Sequence, residues 1–142
     1  MLAKDISTNI AQKVLRILLG LLMLLAGYAH MTFQRAEFQA QVPHWVPLDK
    51  DWVVLLSGVA ELALGFGMVF LGSFKVWVGL ALAVFYVLIF PGNIAQYLNG
   101  IDAFNLDTDR KRLIRLFFQP VLVLWALWSS GALKAWRSRS AP

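Results

Sequence analysis

Apolar residues run along this chain in four long stretches: Val14–Met31, Val53–Leu71, Val76–Leu98 and about Leu113–Ala135. A spanning helix needs about 20 largely apolar residues, and each stretch reaches or nearly reaches that length. The second stretch carries one charge, Glu61; the third is interrupted at Pro91; the fourth has Arg115 near its start and Pro120 inside. Gly72-Ser73-Phe74-Lys75 alone separates the second from the third, so those two form a tight antiparallel hairpin. The remaining connections, Thr32–Asp51 and Asn99–Arg112, are longer and polar, and we read them as loops. The pattern predicts an all-α polytopic membrane protein: one domain over residues 1–142, built as a four-transmembrane-helix bundle. Neither an internal repeat nor a low-complexity tract interrupts it.

Composition agrees. The hydrophobic fraction is 59% and the charged fraction 15%, against nearly half and a quarter in soluble domains. The absence of cysteine excludes disulfides, thiolate catalysis, Cys-ligated metal centres and a dithiol relay to quinones. The net charge of +5 comes from basic residues at segment ends, where lipid headgroups lie, so no nucleic-acid partner is expected. Lys4, Lys13 and Arg16 before an apolar run also fit a signal peptide, but no small-x-small cleavage site follows, and the segment is kept as a membrane helix. Four spans put both termini on one face. Lys plus Arg number seven there and six on the face of the two longer loops, a weak preference for cytoplasmic termini. Trp45, Trp52 and Trp136 lie at segment ends, where indoles favour the interface.

The informative residues are the polar ones at membrane depth. His30 ends the first span on the loop face. Glu61 lies about 12 Å into the second at 1.5 Å per residue. Asn93 and Gln96 fall in the last turns of the third span, Arg115 and Gln119 in the first turns of the fourth. Every span thus brings polar groups to the same half of the bilayer. Arg115 and Gln119 share a helix face by their spacing, as do Asn93, Gln96 and Tyr97. Gly20, Met23, Gly27 and His30 form one stripe, and Ser57, Glu61 and Gly65 another. Small residues permit close helix approach in lipid, so these stripes should face inward. Pro91 removes a backbone donor and Gly92 loosens the helix further, which predicts a kink whose freed carbonyl is met by Asn93, Gln96 or water.

Each residue has a second reading. Glu61 is either a functional intramembrane acid or the partner of Arg115 in a register-fixing ion pair. Asn93 and Gln96 either bind a ligand or cap the kink. His30 is a proton carrier, a solvated interfacial residue or, less readily, a haem or metal ligand. A His30–His44–Glu61 metal site lacks a recognisable ligand spacing, and no metal is expected. Tyr28, Phe33, Phe90, Phe117 and Phe118 read as packing or lipid contacts. Arg110-Lys111-Arg112 reads as a solvated helix start or an anionic-lipid contact.

These residues carry a resemblance. Arg16-Ile17-Leu18-Leu19-Gly20, Gly27-Tyr28-Ala29-His30, Ser57-Gly58-Val59-Ala60-Glu61-Leu62, Phe90-Pro91-Gly92-Asn93-Ile94-Ala95 and Arg115-Leu116-Phe117-Phe118-Gln119 together resemble the DoxX family of small bacterial four-helix membrane proteins. The resemblance runs from Arg16 to Trp128. It departs at Gly92, where family members commonly carry Ala. It implies an inner-membrane location and a link to redox chemistry. Named relatives look like membrane subunits of thiosulfate:quinone oxidoreductases or partners of secreted superoxide dismutase and sulfurtransferase in oxidative-stress complexes. The expectation is a redox-associated membrane subunit or anchor, with a quinone or other small amphipathic molecule as ligand. Glu61 and His30 would handle its protons and Asn93, Gln96, Arg115 and Gln119 would orient it. A redox partner protein would supply the electrons. The other expectation is a non-enzymatic scaffold or small transport-like protein whose polar cluster only locks the bundle. Whether the chain is catalytic, and its oligomeric state, stay open at this level.

Overall fold

The computed structural model describes residues 6–32, 35–39, 42–100 and 108–140. The described residues form six α-helices: α1 Ile10–Met31, α2 Arg35–Gln39, α3 Lys50–Phe70, α4 Lys75–Leu98, α5 Asp109–Ser129 and α6 Ala132–Ser140. Four of them, α1, α3, α4 and α5, are long and apolar enough to cross a membrane, and the chain is a multi-pass helical membrane protein. At 22 residues, α1 is about 33 Å long, the thickness of a hydrocarbon core.

Three of the long helices, α1, α3 and α5, start three or four residues before their apolar runs, because a polar side chain caps each there. Asn9 and Gln12 form a reciprocal capping box on α1. Asp49 accepts from the Asp51 amide at 2.8 Å, and Thr108 from the Lys111 amide at 3.2 Å. Such caps satisfy amides that have no partner inside the helix. The fourth span ends earlier than its apolar run. Gly131 takes φ +82, a conformation costly for residues with a Cβ, and the chain turns there into α6. Between α3 and α4 a single 3₁₀ turn, Gly72–Phe74, closes the expected hairpin. Pro91 does not interrupt its helix: α4 continues through Pro91 and Gly92 to Leu98.

The bundle is a square. α1 packs most extensively on α3 and α4 on α5; α1 also meets α5, and α3 meets α4, so α1 faces α4 and α3 faces α5 across the diagonals. Glycines set the α1–α3 seam. A Cβ on Gly20 would lie 2.9 Å from the Gly65 carbonyl oxygen, and one on Gly65 would lie 2.8 Å from that of Gly20. Gly27 and Gly58 repeat the approach nearer the loop face. The expected small-residue stripe therefore exists, with buried Gly58 where Ser57, only half-buried, was expected. Leu19, Met23, Met68, Leu82, Tyr86, Leu122 and Ala126 fill the centre. Large apolar side chains such as Leu25, Phe66, Leu88 and Leu124 point outward, as a helix surface in lipid requires.

Candidate functional site

Close approach of α1 and α3 brings His30 and Glu61 together. Gly58 lies one turn before Glu61, and a Cβ there would sit 3.0 Å from the His30 Cβ. Glu61 Oε2 lies 2.5 Å from His30 Nδ1, and both residues are buried. His30 Nδ1 is also 3.0 Å from the Ala26 carbonyl oxygen, one turn back. One nitrogen thus faces two acceptors with at most one proton. Aligned with Ala26, the N–H leaves Glu61 Oε2 close to the nitrogen yet without an aligned hydrogen bond. A proton on the carboxyl group, or a swing of the ring, resolves that competition. Phe38 of α2 stacks on the imidazole, 3.2 Å between centroids and 19° between planes, and fixes the ring from the loop face. Sequence reading missed this element, because the five residues of α2 are too few to show a helical period.

α4 and α5 build a second polar cluster. Gln119 donates from Nε2 to the Tyr86 carbonyl at 2.6 Å. Its Oε1 accepts from Arg115 Nη1 at 3.0 Å and from Asn93 Nδ2 at 3.4 Å. Tyr86 precedes Val87, whose carbonyl loses its helical donor to Pro91. Gln119 thus meets the carbonyl one residue before the one that Pro91 frees. Asn93 Oδ1 is buried without a hydrogen bond. Gln96 is buried one turn on. Arg115 is half-buried, its guanidinium 5.7 Å from the Phe118 ring centroid.

No ion pair joins Glu61 to Arg115 among the described residues; Glu61 meets His30 instead. The reason is topological, since α3 and α5 are diagonal. Tyr86 sits within electrostatic reach of both Glu61 and Arg115, and its hydroxyl donates to Met23 Sδ at 2.9 Å. Sequence reading passed over Tyr86. The signal was present: Gly79, Leu82, Tyr86, Asn93 and Gln96 recur at helical spacing, and all are buried.

His44 is exposed on a loop turn, and no group of three or more His, Cys, Asp or Glu side chains gathers among the described residues. Tyr28, Phe117 and Phe118 are exposed and Phe90 is half-buried; Phe33 lies outside the described residues. Of the basic run, Arg110 and Lys111 are exposed, while Arg112 is buried and paired with Asp109 at 2.8 Å.

A family model described as a domain of unknown function, DUF8561, matches residues 19–130. The chain belongs to that family, and both polar clusters fall inside the matched region. No curated protein and no solved structure matches it.

Proposed function

We propose that this chain is a redox-linked membrane subunit or anchor of the bacterial inner membrane, similar to the DoxX family, that holds a quinone-like molecule in the loop-face half of its bundle. The observation that carries the reading is the buried His30–Glu61 contact, where two acceptors compete for one imidazole proton. Quinone reduction and oxidation move protons with electrons, and a buried acid–imidazole pair is suited to hold or release one. The residues present fit such a ligand. Asn93 Oδ1 is a buried acceptor without a donor, which suits a hydroquinone hydroxyl. The guanidinium of Arg115 has donors beyond the one given to Gln119, which suits a carbonyl oxygen. A bound quinone would supply two-electron carrier chemistry. The chain's own residues would orient it and hold its protons. Without a cysteine in the chain, the electrons would come from a partner protein. The seven-to-six balance of basic residues supports cytoplasmic termini.

The test is purification in mild detergent, followed by mass spectrometry and absorbance of the extract. The reading expects a co-purifying quinone near one per chain, lost in Glu61→Gln with the fold retained. A folded wild-type protein that neither retains nor binds added quinone would sink it.

One observation favours the rival reading of a scaffold. Gln119 binds the Tyr86 carbonyl, Arg115 and Asn93 at once, the behaviour of a residue that locks α5 onto α4. If Asn93→Ala leaves quinone retention intact while lowering stability, the α4–α5 cluster is such a lock and the ligand lies against α1 and α3 alone.

A further inference from the structure

At the opposite end of the bundle, Arg16 is buried to 6% exposure. Its guanidinium makes no hydrogen bond, and Nε and Nη1 are sealed from solvent without a partner. An arginine that merely snorkels keeps its head in water; this one does not. Buried polar groups are nearly always satisfied, and an orphaned group points to a ligand or ion. The guanidinium lies over the turn between α3 and α4: a Cβ on Gly72 would be 3.4 Å from Nη1 and 3.7 Å from Nη2. Lys75 opens α4 beside it, close enough for the two like charges to repel. No side chain caps the α4 N-terminus, whose helix dipole adds positive potential.

Among the described residues nothing negative offsets this group. The described cations on this face are Lys13, Arg16, Lys75, Lys134, Arg137 and Arg139. Every described acidic residue (Asp49, Asp51, Glu61 and Asp109 among them) lies in the loop-face half. Two cations side by side, one of them buried with unbonded donors, favour an anion between them. The depth is right for a headgroup: Arg16 lies about 9 Å along α1 from its first residue, level with the hairpin turn rather than with the bilayer centre.

We propose that Arg16, with Lys75 and the glycine turn at Gly72, binds a phosphate-type oxyanion, either the phosphate of an anionic lipid or free phosphate. The planar guanidinium offers paired N–H donors matched to two oxygens of such a group, and Nη2 is the nitrogen not sealed from the surface. Gly72 lets the oxygens approach where a side chain would stand in the way. The site is independent of the loop-face cluster and stands whether or not a quinone binds there.

The full-length chain, delipidated in a non-ionic maltoside, tests it. Thermal unfolding is followed after addition of phosphatidylglycerol, and separately of inorganic phosphate against chloride at equal ionic strength. We expect a rise of several degrees with phosphatidylglycerol. The same rise with phosphate alone would identify free phosphate as a sufficient ligand, and its absence would identify the lipid. Arg16→Gln should abolish the response and Arg16→Lys should leave only part of it. Lys75→Gln, at a half-buried residue, should weaken apparent affinity about tenfold and keeps the test open if the Arg16 variants do not fold. No response in the wild-type protein to either addition, or an unchanged response in Lys75→Gln, overturns the proposal.

Discussion

His30 and Glu61 show how one contact decides between two accounts of the same residue. Sequence spacing left Arg115 as a partner for Glu61; the helix seam hands it His30. The two pairings predict different energetics. Removing one member of a buried hydrogen-bonding pair leaves the other unsatisfied and costs about 1–3 kcal/mol. His30→Gln and Glu61→Gln should each destabilise the protein, and the double variant should lose less than their sum. A coupling within about 0.5–3 kcal/mol is expected from unfolding in detergent, as for residues in contact. Glu61→Gln combined with Arg115→Gln should show a smaller coupling. If the larger coupling belongs to Arg115, the pairing described above is wrong.

At the scale of elements, the α1–α3 seam and the α4–α5 lock hold by different physics. The seam rests on glycine backbones in van der Waals contact. Gly65→Ala would place a methyl group 2.8 Å from the Gly20 carbonyl oxygen and 3.0 Å from the Leu24 amide nitrogen. Backbone cannot step aside as a flexible side chain can, so we expect a loss of about 1–3 kcal/mol. Ser57→Ala, at the half-buried position beside the seam, should cost under about 0.5 kcal/mol. Equal losses in the two would mean that the helices do not meet at Gly65. The α4–α5 contact rests on Gln119. Gln119→Leu keeps the volume but strands the Tyr86 carbonyl contact and the Arg115 and Asn93 donors, and should cost about 1–3 kcal/mol for each buried group left unmet. Pro91→Ala should act oppositely, because it restores a donor to the Val87 carbonyl; thermal stability should stay level or rise. A collapse of the fold in Pro91→Ala would show that the neighbouring helices are shaped around the proline.

On the scale of the whole molecule, orientation is the open quantity that charge alone settles least. His44 is exposed on the loop face and Ser138 on the face of the termini. In a chain without cysteine, His44→Cys and Ser138→Cys provide unique labels. With cytoplasmic termini, a membrane-impermeant maleimide should mark His44→Cys in intact cells and reach Ser138→Cys only after lysis. The reverse pattern would invert the protein in the membrane and leave the helix count untouched. It would also move the Arg16 cluster to the outer leaflet, which makes this measurement a constraint on where its anion comes from.

The sequence alone determined the four spans, because about 20 apolar residues in a row have no other stable home than a helix in lipid. It also placed His30, Glu61, Asn93, Gln96, Arg115 and Gln119 in one half of the bilayer, since span direction alternates and depth follows from counting. Helix ends were legible only in part: the caps at Asn9, Asp49 and Thr108 are short-range signals, whereas the end of α5 depends on a left-handed turn at Gly131 that apolar counting runs past. Which helix stands beside which is a property of the packed bundle. Tertiary structure alone therefore decided that Glu61 meets His30, that Gln119 reaches the Tyr86 carbonyl near Pro91, and that Arg16 is buried with Nε and Nη1 unbonded. Periodicity assigns a side chain to a face, but the partner across that face is set by which backbones can approach closely, here by Gly20 against Gly65 and Gly27 against Gly58.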